Sequence, residues 1–420
     1  MKKISQLLLV ATVFVGLTAC TDNGVETPPP NTEANVLSGA ISENMTLTPD
    51  IIWEIDGKTY VQTGITLTIE AGTIIKGRTG IESNASALII ARGGKINAQG
   101  TAAAPIIFTS LEDNIAVGQL AGTNLGAEDK ELWGGLIILG NAPISAENGD
   151  TETQIEGIPA EEEYGKYGGT NATDDSGVLK YVSFRHGGVS IGDGNEINGL
   201  TLGGVGSATT IDHVEIFATL DDGIEFFGGT VNVTNLIISY QGDDGVDIDQ
   251  NYAGTVTNFV VMHGGNDTDE GLEIDGPEGS TYTDGLFTLK NGSVMSMGGA
   301  KSGTPADLKS GAQGNIDNVV FSNYAVDADM VKIRSSYDDA NSCSVKTDAY
   351  THLTNTSASL KLITSEFMGI KVYTKSDACS VLTDDQLAAE MAAISSGNAT
   401  GADKSAFSAW TLASIKGMLN

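Results

Sequence analysis

Acidic residues recur at fixed positions in the middle of the chain. Three segments, at 221–227, 243–249 and 269–275, share a pattern of two acids, a glycine, and then apolar and acidic or aromatic residues in alternation. Their starts lie 22 and 26 residues apart, and a repeat of this length is typical of a stacked solenoid. From His186 to Leu289 the chain has 18 Asp and Glu but no Lys or Arg. Carboxylates stacked in this way repel one another and attract a cation.

The alternation assigns the residues of each repeat to two faces. Side chains such as Ile224 and Phe226 point one way, and Glu225 and its counterparts point the other way. In a parallel β-helix the apolar set would fill the bore, and the acids would stack on the outer wall about 4.8 Å apart. Ca²⁺ suits such a column because it accepts about six to eight oxygen ligands in irregular geometry. The predicted ligands are Asp221, Asp222, Glu225, Asp243, Asp244, Asp247, Asp249, Asp269, Glu273 and Asp275.

A second interpretation of the same pattern needs no metal. Asp-Asp-Gly is common in turns, since Asp bonds its own backbone and Gly accepts a positive φ. The acids would then form a solvated surface. The whole chain carries 54 acidic and 22 basic residues, with a formal charge of −32. This charge argues against nucleic acid or an anionic membrane surface as a partner, because both require basic patches.

The composition and the order of segments predict an all-β fold, a parallel β-helix over residues 36–337, and the segment at 64–75 resembles one that is common in right-handed parallel β-helix proteins, which implies a right-handed coil. The chain has 53 Gly and only 6% aromatic residues, which favours short strands and tight turns. An asparagine ladder and two wall loops, at 114–130 and 146–175, are expected within it. After Tyr337 the pattern changes, and 338–420 is predicted to be a small, partly helical cap, with helices at 383–391 and 404–419. The expected ladder consists of Asn235, Asn258, Asn291 and Asn318. A disulfide is expected between Cys343 and Cys379.

The N-terminus has the features of an export signal. Lys2 and Lys3 precede an apolar run at residues 7–15 that is too short to span a membrane. Leu17-Thr18-Ala19-Cys20 resembles a bacterial lipobox, which implies removal of residues 1–19 and lipidation of Cys20. Residues 20–35 would then form a disordered tether. The lipid predicts a membrane-anchored protein of the cell envelope, at the outer membrane.

Several segments resemble a family of Gram-negative surface lipoproteins. They lie at 86–94, 133–140, 194–206 and 221–230, and together with the lipobox they imply a β-helix at the outer membrane. This resemblance implies no particular activity. From the acidic repeats and the predicted envelope location, we expect the protein to be a calcium-stabilised binding or adhesion module, with glycans as its ligands. Sugar-stacking platforms are expected among Trp133, Tyr240, Tyr252 and Tyr282.

A second resemblance implies catalysis as the alternative. Polygalacturonases use acids, a histidine and a basic residue on successive coils of the same fold. The residues that occur in the corresponding order are Asp222, Asp243, Asp244, His263 and Arg334. They would form a polysaccharide hydrolase in which an acid and a base flank the glycosidic bond, about 6.5–9.5 Å apart. A calcium-assisted lyase is a variant of this hypothesis.

Overall fold

Strands of successive coils pair in parallel and form three ladders along the chain. Each inward-facing strand residue lies above its counterpart on the preceding coil, so the ladders enclose one apolar bore. The predicted all-β parallel β-helix is confirmed. The signal segment, Cys20, the tether to residue 34, Cys379 and the predicted helix at 383–391 lie outside the described residues. The computed structural model describes residues 35–81, 84–192, 195–264, 268–298, 303–324, 331–338, 343–354, 359–366, 370–374 and 397–419.

Two ladders share long strands that bend in the middle. The first contains β2 (Met45–Leu47), β4 (Thr66–Ile69), β7 (Lys95–Gln99), the first halves of β12 (Gly177–Arg185), β16 (Thr210–Phe217), β18 (Asn232–Ser239), β20 (Thr255–His263), β22 (Phe287–Ser296) and β24 (Gly314–Ser322), and β28 (Leu360–Ile363). The second contains the starts of β1 (Val36–Ile41) and β3 (Ile52–Val61), then β5 (Ile74–Gly77), β8 (Ile106–Ser110) and the second halves of the long strands.

The third ladder carries the acidic repeats. Its strands are short, and in β17 and β19 both apolar residues that face the bore are fully buried. Burial of each such side chain stabilises the fold by about 1.5–3 kcal/mol. The ladder contains the ends of β1 and β3, then β6 (Ala87–Ile90), β9 (Leu136–Leu139), β15 (Leu200–Gly203), β17 (Ile224–Phe227), β19 (Val246–Asp249), β21 (Leu272–Ile274), β23 (Asp307–Leu308), β25 (Val331–Ser335) and β29 (Ile370–Thr374).

Asparagines form the corner between the first two ladders. Asn235, Asn258, Asn291 and Asn318 all have a left-handed φ of 55–57°, which Asn tolerates better than most residues. Asn258 Nδ2 donates to Asn235 Oδ1 at 2.7 Å, and Asn318 Nδ2 donates to Asn291 Oδ1 at 2.8 Å. The predicted asparagine ladder is therefore confirmed.

The glycine of each acidic repeat is required by the close approach of neighbouring coils. A Cβ on Gly223 would lie 2.6 Å from the carbonyl oxygen of Gly245, and a Cβ on Gly245 would lie 2.4 Å from that of Gly271. Both contacts are too short for any other residue. The motif therefore marks a turn where neighbouring coils lie too close for a side chain, and this is a different reason from the positive φ that turn chemistry suggested.

Two long loops leave the coils, as expected from the sequence. The first joins β8 to β9, and the second, residues 140–176, joins β9 to β12 and is called the covering loop below. The covering loop packs Ile144, Ile155 and Tyr167 against outward-facing residues of the third ladder such as Ile137. Short antiparallel pairs and one 3₁₀ turn complete this side, namely β10 (Glu152–Gln154) with β11 (Lys166–Gly168), the turn Glu163–Gly165, and β13 (Val189–Gly192) with β14 (Asn195–Ile197).

The C-terminal region differs from the predicted cap. The coils continue past Tyr337 and include β28 and β29. Between β25 and β28 the chain contains β26 (Tyr337–Asp338), β27 (Ser344–Val345) and helix α1 (Ala349–Thr354). Residues 397–419, called the strap, lie along the asparagine corner and contain only a 3₁₀ turn, Lys404–Phe407, and a short helix α2, Leu412–Ile415. Asn318 and Asn258 accept hydrogen bonds from the strap backbone at Thr400 and Asp403, just before the range 404–419, in which the predicted single helix is replaced by these two short elements. Cys343 is disulfide-bonded.

Candidate metal centre

One column of outward-facing residues runs along the third ladder. It is apolar near the N-terminus, acidic in the middle and basic near the C-terminus. The predicted register of Glu225, Asp247 and Glu273 is confirmed. The column reads Ala40, Tyr60, Ile89, Ile137, Thr201, Glu225, Asp247, Glu273, Asp307 and Lys332.

The central acids of this column are buried. Glu225 is 6% exposed and Asp247 is 9% exposed, although both point away from the bore. Neighbouring acids Asp222 and Asp244 are 6% and 4% exposed. Burial contradicts a solvated acidic wall at these positions. The sequence reasoning placed the acids on the correct face but could not show that other segments of the chain enclose them.

A second column of polar residues lies at the turn before each strand of the third ladder. Asp244 N donates to Asp222 Oδ1 at 2.9 Å, and Glu270 N donates to Asp244 Oδ1 at 2.6 Å. Each carboxylate thus accepts the backbone N–H of the next coil. Asn198 occupies the same turn position one coil earlier, because Gly199 N donates to Asp222 O as Gly223 N does to Asp244 O. Sequence reasoning missed Asn198 and Glu270, although their spacing from Asp222 and Asp244 matches the repeat.

Among the residues that the structure describes, three sets of acids bring carboxylate oxygens within 4.8 Å of one another. The first is Asp221, Asp222 and Asp243, and the second is Asp222, Glu225 and Asp247. The two sets share Asp222 and together are called the acid cluster. Asp243 is exposed, so it opens the first set to solvent. The third set consists of Asp244, Glu270 and Glu273.

The acid cluster carries strongly perturbed carboxyl groups. Burial, followed by the nearby Asp247, raises the pKa of Glu225 well above its ordinary value. Burial, followed by the nearby Asp221, also raises the pKa of Asp222 well above its ordinary value. For Asp221, burial and then Glu196 raise the pKa to about 9. Desolvation and like charge therefore act together here, and each favours either a bound proton or a bound cation.

Two buried oxygen atoms indicate that a cation fits. Asp247 Oδ1 and Asn198 Oδ1 are both buried and have no hydrogen-bond partner among the described residues. Asn198 Nδ2 donates to Glu225 Oε2, which places this amide against the acid cluster. A buried acceptor left without a partner costs about 1–3 kcal/mol. A hard cation with irregular, all-oxygen coordination, such as Ca²⁺, would satisfy both carboxylate and amide oxygens.

Cations from later coils reach the C-terminal part of the ladder. Lys309 contacts Glu273 and lies 3.6 Å from Asp275. Lys332 Nζ lies 2.8 Å from Glu270 Oε1. Glu273 and Asp275, predicted as metal ligands, are thus paired with lysine. Asp249 and Asp269 belong to none of the three sets, and Asp269 is exposed. The candidate metal ligands therefore narrow to the acid cluster.

The residues of the polygalacturonase resemblance fall into separate contacts. Asp222 and Asp243 meet in the acid cluster, whereas Asp244 belongs to the third set. His263 is fully buried with Nδ1 2.9 Å from the Tyr324 hydroxyl, and burial lowers its pKa to about 4. The Nε of Arg334 donates to Asp307 at 2.8 Å. These contacts do not form the single groove that the resemblance implies.

Two of the four predicted sugar platforms are core residues. Trp133 and Tyr252 are each 1% exposed, and the hydroxyl of Tyr252 donates to Val231 O at 2.6 Å. Both predictions were wrong, because these rings fill the bore and the space beneath the loops. Tyr240 and Tyr282 are half-buried, and Tyr240 packs edge-on against Phe217.

In a chelator, the unfolding temperature should fall by several degrees as the pH rises from about 5 to about 9. The folded state holds protons on acids whose raised pKa reaches about 9 at Asp221, while the ordinary aspartate value is 3.8. The stabilisation by these bound protons is complete below the pKa that the acids have in the unfolded state. It is lost as the pH rises through their pKa in the folded state. Scanning calorimetry at each pH would measure it. A rising or constant unfolding temperature over this range would contradict the assignment.

Comparison with known families agrees with this architecture. A family model described as a pectate-lyase-like β-helix domain matches residues 39–413. No curated protein and no solved structure matches the chain. The matched residues include the coils from β3 to β29, the acid cluster and most of the strap. The chain therefore belongs to the pectate-lyase-like β-helix family.

Proposed function

We propose that the protein is a calcium-stabilised, carbohydrate-binding β-helix held at the cell envelope by a lipid. The calcium assignment rests on the buried acid cluster. At this cluster, Asp247 Oδ1 and the adjacent Asn198 Oδ1 are buried without a hydrogen-bond partner among the described residues. The family description, pectate-lyase-like, supports a carbohydrate as the ligand. The lipobox at Leu17-Thr18-Ala19-Cys20 supports the envelope location.

The coordinating groups come from separate coils. Asp222 and Glu225 belong to one coil, Asp247 to the next, and Asn198 to the preceding one. A calcium ion at this position would bind only when these coils are stacked, so it would stabilise the folded state alone. Such a ligand adds RT ln(1 + [L]/Kd), about 2.7 kcal/mol at a hundredfold excess over Kd. The ion would supply the positive charge that Lys309 and Lys332 supply further along the ladder.

Millimolar Ca²⁺ should raise the unfolding temperature of the wild type by several degrees. Asp247→Asn should lose most of this rise, because it removes a ligand, and it should be at least as stable as the wild type in chelator, because it removes repulsion. Calorimetric melting and isothermal titration with CaCl₂ would measure both effects.

Asp284→Asn is the matched control, since Asp284 is an exposed aspartate outside the acid cluster. It should keep the full calcium response. An unfolding temperature that is indifferent to both calcium and chelator in the wild type would refute the metal centre.

The envelope location rests on the N-terminal segment. Among the described residues, no helix has the length and apolar character needed to cross a membrane. Cys20→Ala should move the protein from the membrane fraction to the soluble fraction, because the lipid would have no attachment point. Cell fractionation and immunoblotting would show this. Cys343→Ala, which leaves the lipobox intact, should remain in the membrane fraction, and unchanged partitioning of Cys20→Ala would rule out the anchor.

Polysaccharide cleavage is the second candidate function. The observation that favours it is the raised pKa of Asp221, about 9, beside the solvent-open Asp243. A protonated acid next to a carboxylate can act in general acid–base chemistry. The oxygens of the two groups lie within 4.8 Å, which is closer than the about 6.5–9.5 Å of an inverting pair. This distance disfavours the inverting geometry that the polygalacturonase resemblance implies, and His263 and Arg334 lie in other contacts. Binding is therefore the function that the geometry supports better.

If the protein cleaves polysaccharide, the wild type should release reducing ends or unsaturated products from polygalacturonate in calcium. Asp243→Asn should lower this rate by at least a hundredfold, because an essential base or acid contributes about that much. Asp284→Asn should keep the wild-type rate. Reducing-end and ultraviolet assays would detect the products, and no release from the wild type would leave the binding function as the sole candidate.

A further inference from the structure

A cleft of about 610 Å³ lies on the third ladder, away from the acid cluster. One side is formed by Tyr60 and Gln62 at the end of β3 and by Arg92 after β6, and the other by residues 161–164 of the covering loop. Small-ligand sites have volumes of about 300–1,000 Å³. The cleft is therefore large enough for one or two sugar rings.

Two tyrosines form the apolar part of the cleft. The rings of Tyr60 and Tyr164 are stacked, with centroids 4.1 Å apart and planes 9° from parallel. Both side chains are half-buried, so each keeps part of its surface toward the cleft. Tyr60 is held in place by its strand, in register with Ile89 on the next coil. The pair is a preformed aromatic platform in which one face of each ring is covered by the other ring.

Polar groups surround this platform. Arg92 Nη1 donates to Gly168 O at 2.9 Å and lies 3.0 Å from Glu152, which ties the covering loop to the coil. Thr63 Oγ1 donates to Arg92 O at 2.7 Å. Glu161 and Glu162 add carboxylates to the opposite side. Donors and acceptors therefore stand at the edge of an aromatic face.

We propose that this cleft binds a neutral pyranose unit of a glycan, an inference that rests on the proposed carbohydrate-binding function. A pyranose has a face of C–H groups, which packs on an aromatic ring, and an edge of hydroxyls, which donate to carboxylates. The glutamates and the formal charge of −32 disfavour an acidic sugar. The cleft therefore selects for a neutral sugar unit.

The cleft and the acid cluster are separate enough to be tested apart. Tyr60 and Glu225 lie in the same outward column, with Ile89, Ile137 and Thr201 between them. Four coil steps of about 4.8 Å correspond to about 19 Å. Sugar binding at the cleft is therefore expected to persist in chelator.

Isothermal titration with cellohexaose, mannohexaose and xylohexaose would test the proposal. At least one of the three should bind the wild type, with and without calcium. Tyr164→Ala should weaken that binding at least tenfold, because it removes one of the two stacked rings, and Tyr164→Phe should retain most of it. Tyr181→Ala, at a half-buried tyrosine outside the cleft, is the matched control and should bind as the wild type does.

A second measurement needs no variant. Saturation of the tyrosine ring protons in the wild type should transfer to the C–H protons of the bound sugar. Failure of all three oligosaccharides to bind, or unchanged binding by a folded Tyr164→Ala, would overturn the proposal, as would exclusive binding of a glucosamine oligomer or a lysine-rich peptide. Loss of the calcium response with intact sugar binding would instead refute only the metal centre.

Discussion

Parallel backbone pairing between coils is the constraint on which the rest of the structure depends. It sets the coil spacing at about 4.8 Å and places chemically similar residues directly above one another. Gly223 and Gly245 permit this spacing, because any side chain there would collide with the next coil. For apolar residues the alignment builds a continuous bore. For carboxylates it creates a repulsion of about 3 kcal/mol per pair at an effective dielectric near 20.

The chain meets this repulsion in two ways along a single column. Toward the C-terminus, Lys309 and Lys332 bring positive charge from later coils to Glu273 and Glu270. In the middle, the covering loop removes water from the acids, and the forces that shift the pKa of Glu225 are burial and other carboxylates. The contrast between the two regions is the physical reason to place a metal ion in one and not in the other.

The period-two alternation predicted which residues face the bore, and the repeat spacing predicted the register of Glu225, Asp247 and Glu273. Both properties are local, so sequence carries them. Burial of the acids depends on the covering loop, and the pairing of Lys309 with Glu273 depends on coils of unequal length; neither has a sequence period. Likewise, Tyr60 and Tyr164 are 104 residues apart, and only the folded loop brings them together. The order of Asp222, His263 and Arg334 along the chain suggested a shared groove, but order alone does not fix which wall each residue occupies.

The strap changes how the solenoid holds together. In most repeat proteins each coil contacts only its neighbours, so the ends can fray independently. Here Asn318 accepts a hydrogen bond from Thr400 N, Asn258 accepts one from Asp403 N, and Glu215 accepts bonds from Leu412 N and Ala413 N. One segment thus ties distant coils together. Local unfolding in that region must break contacts at several coils at once, which makes the array more cooperative than its repeats alone would be.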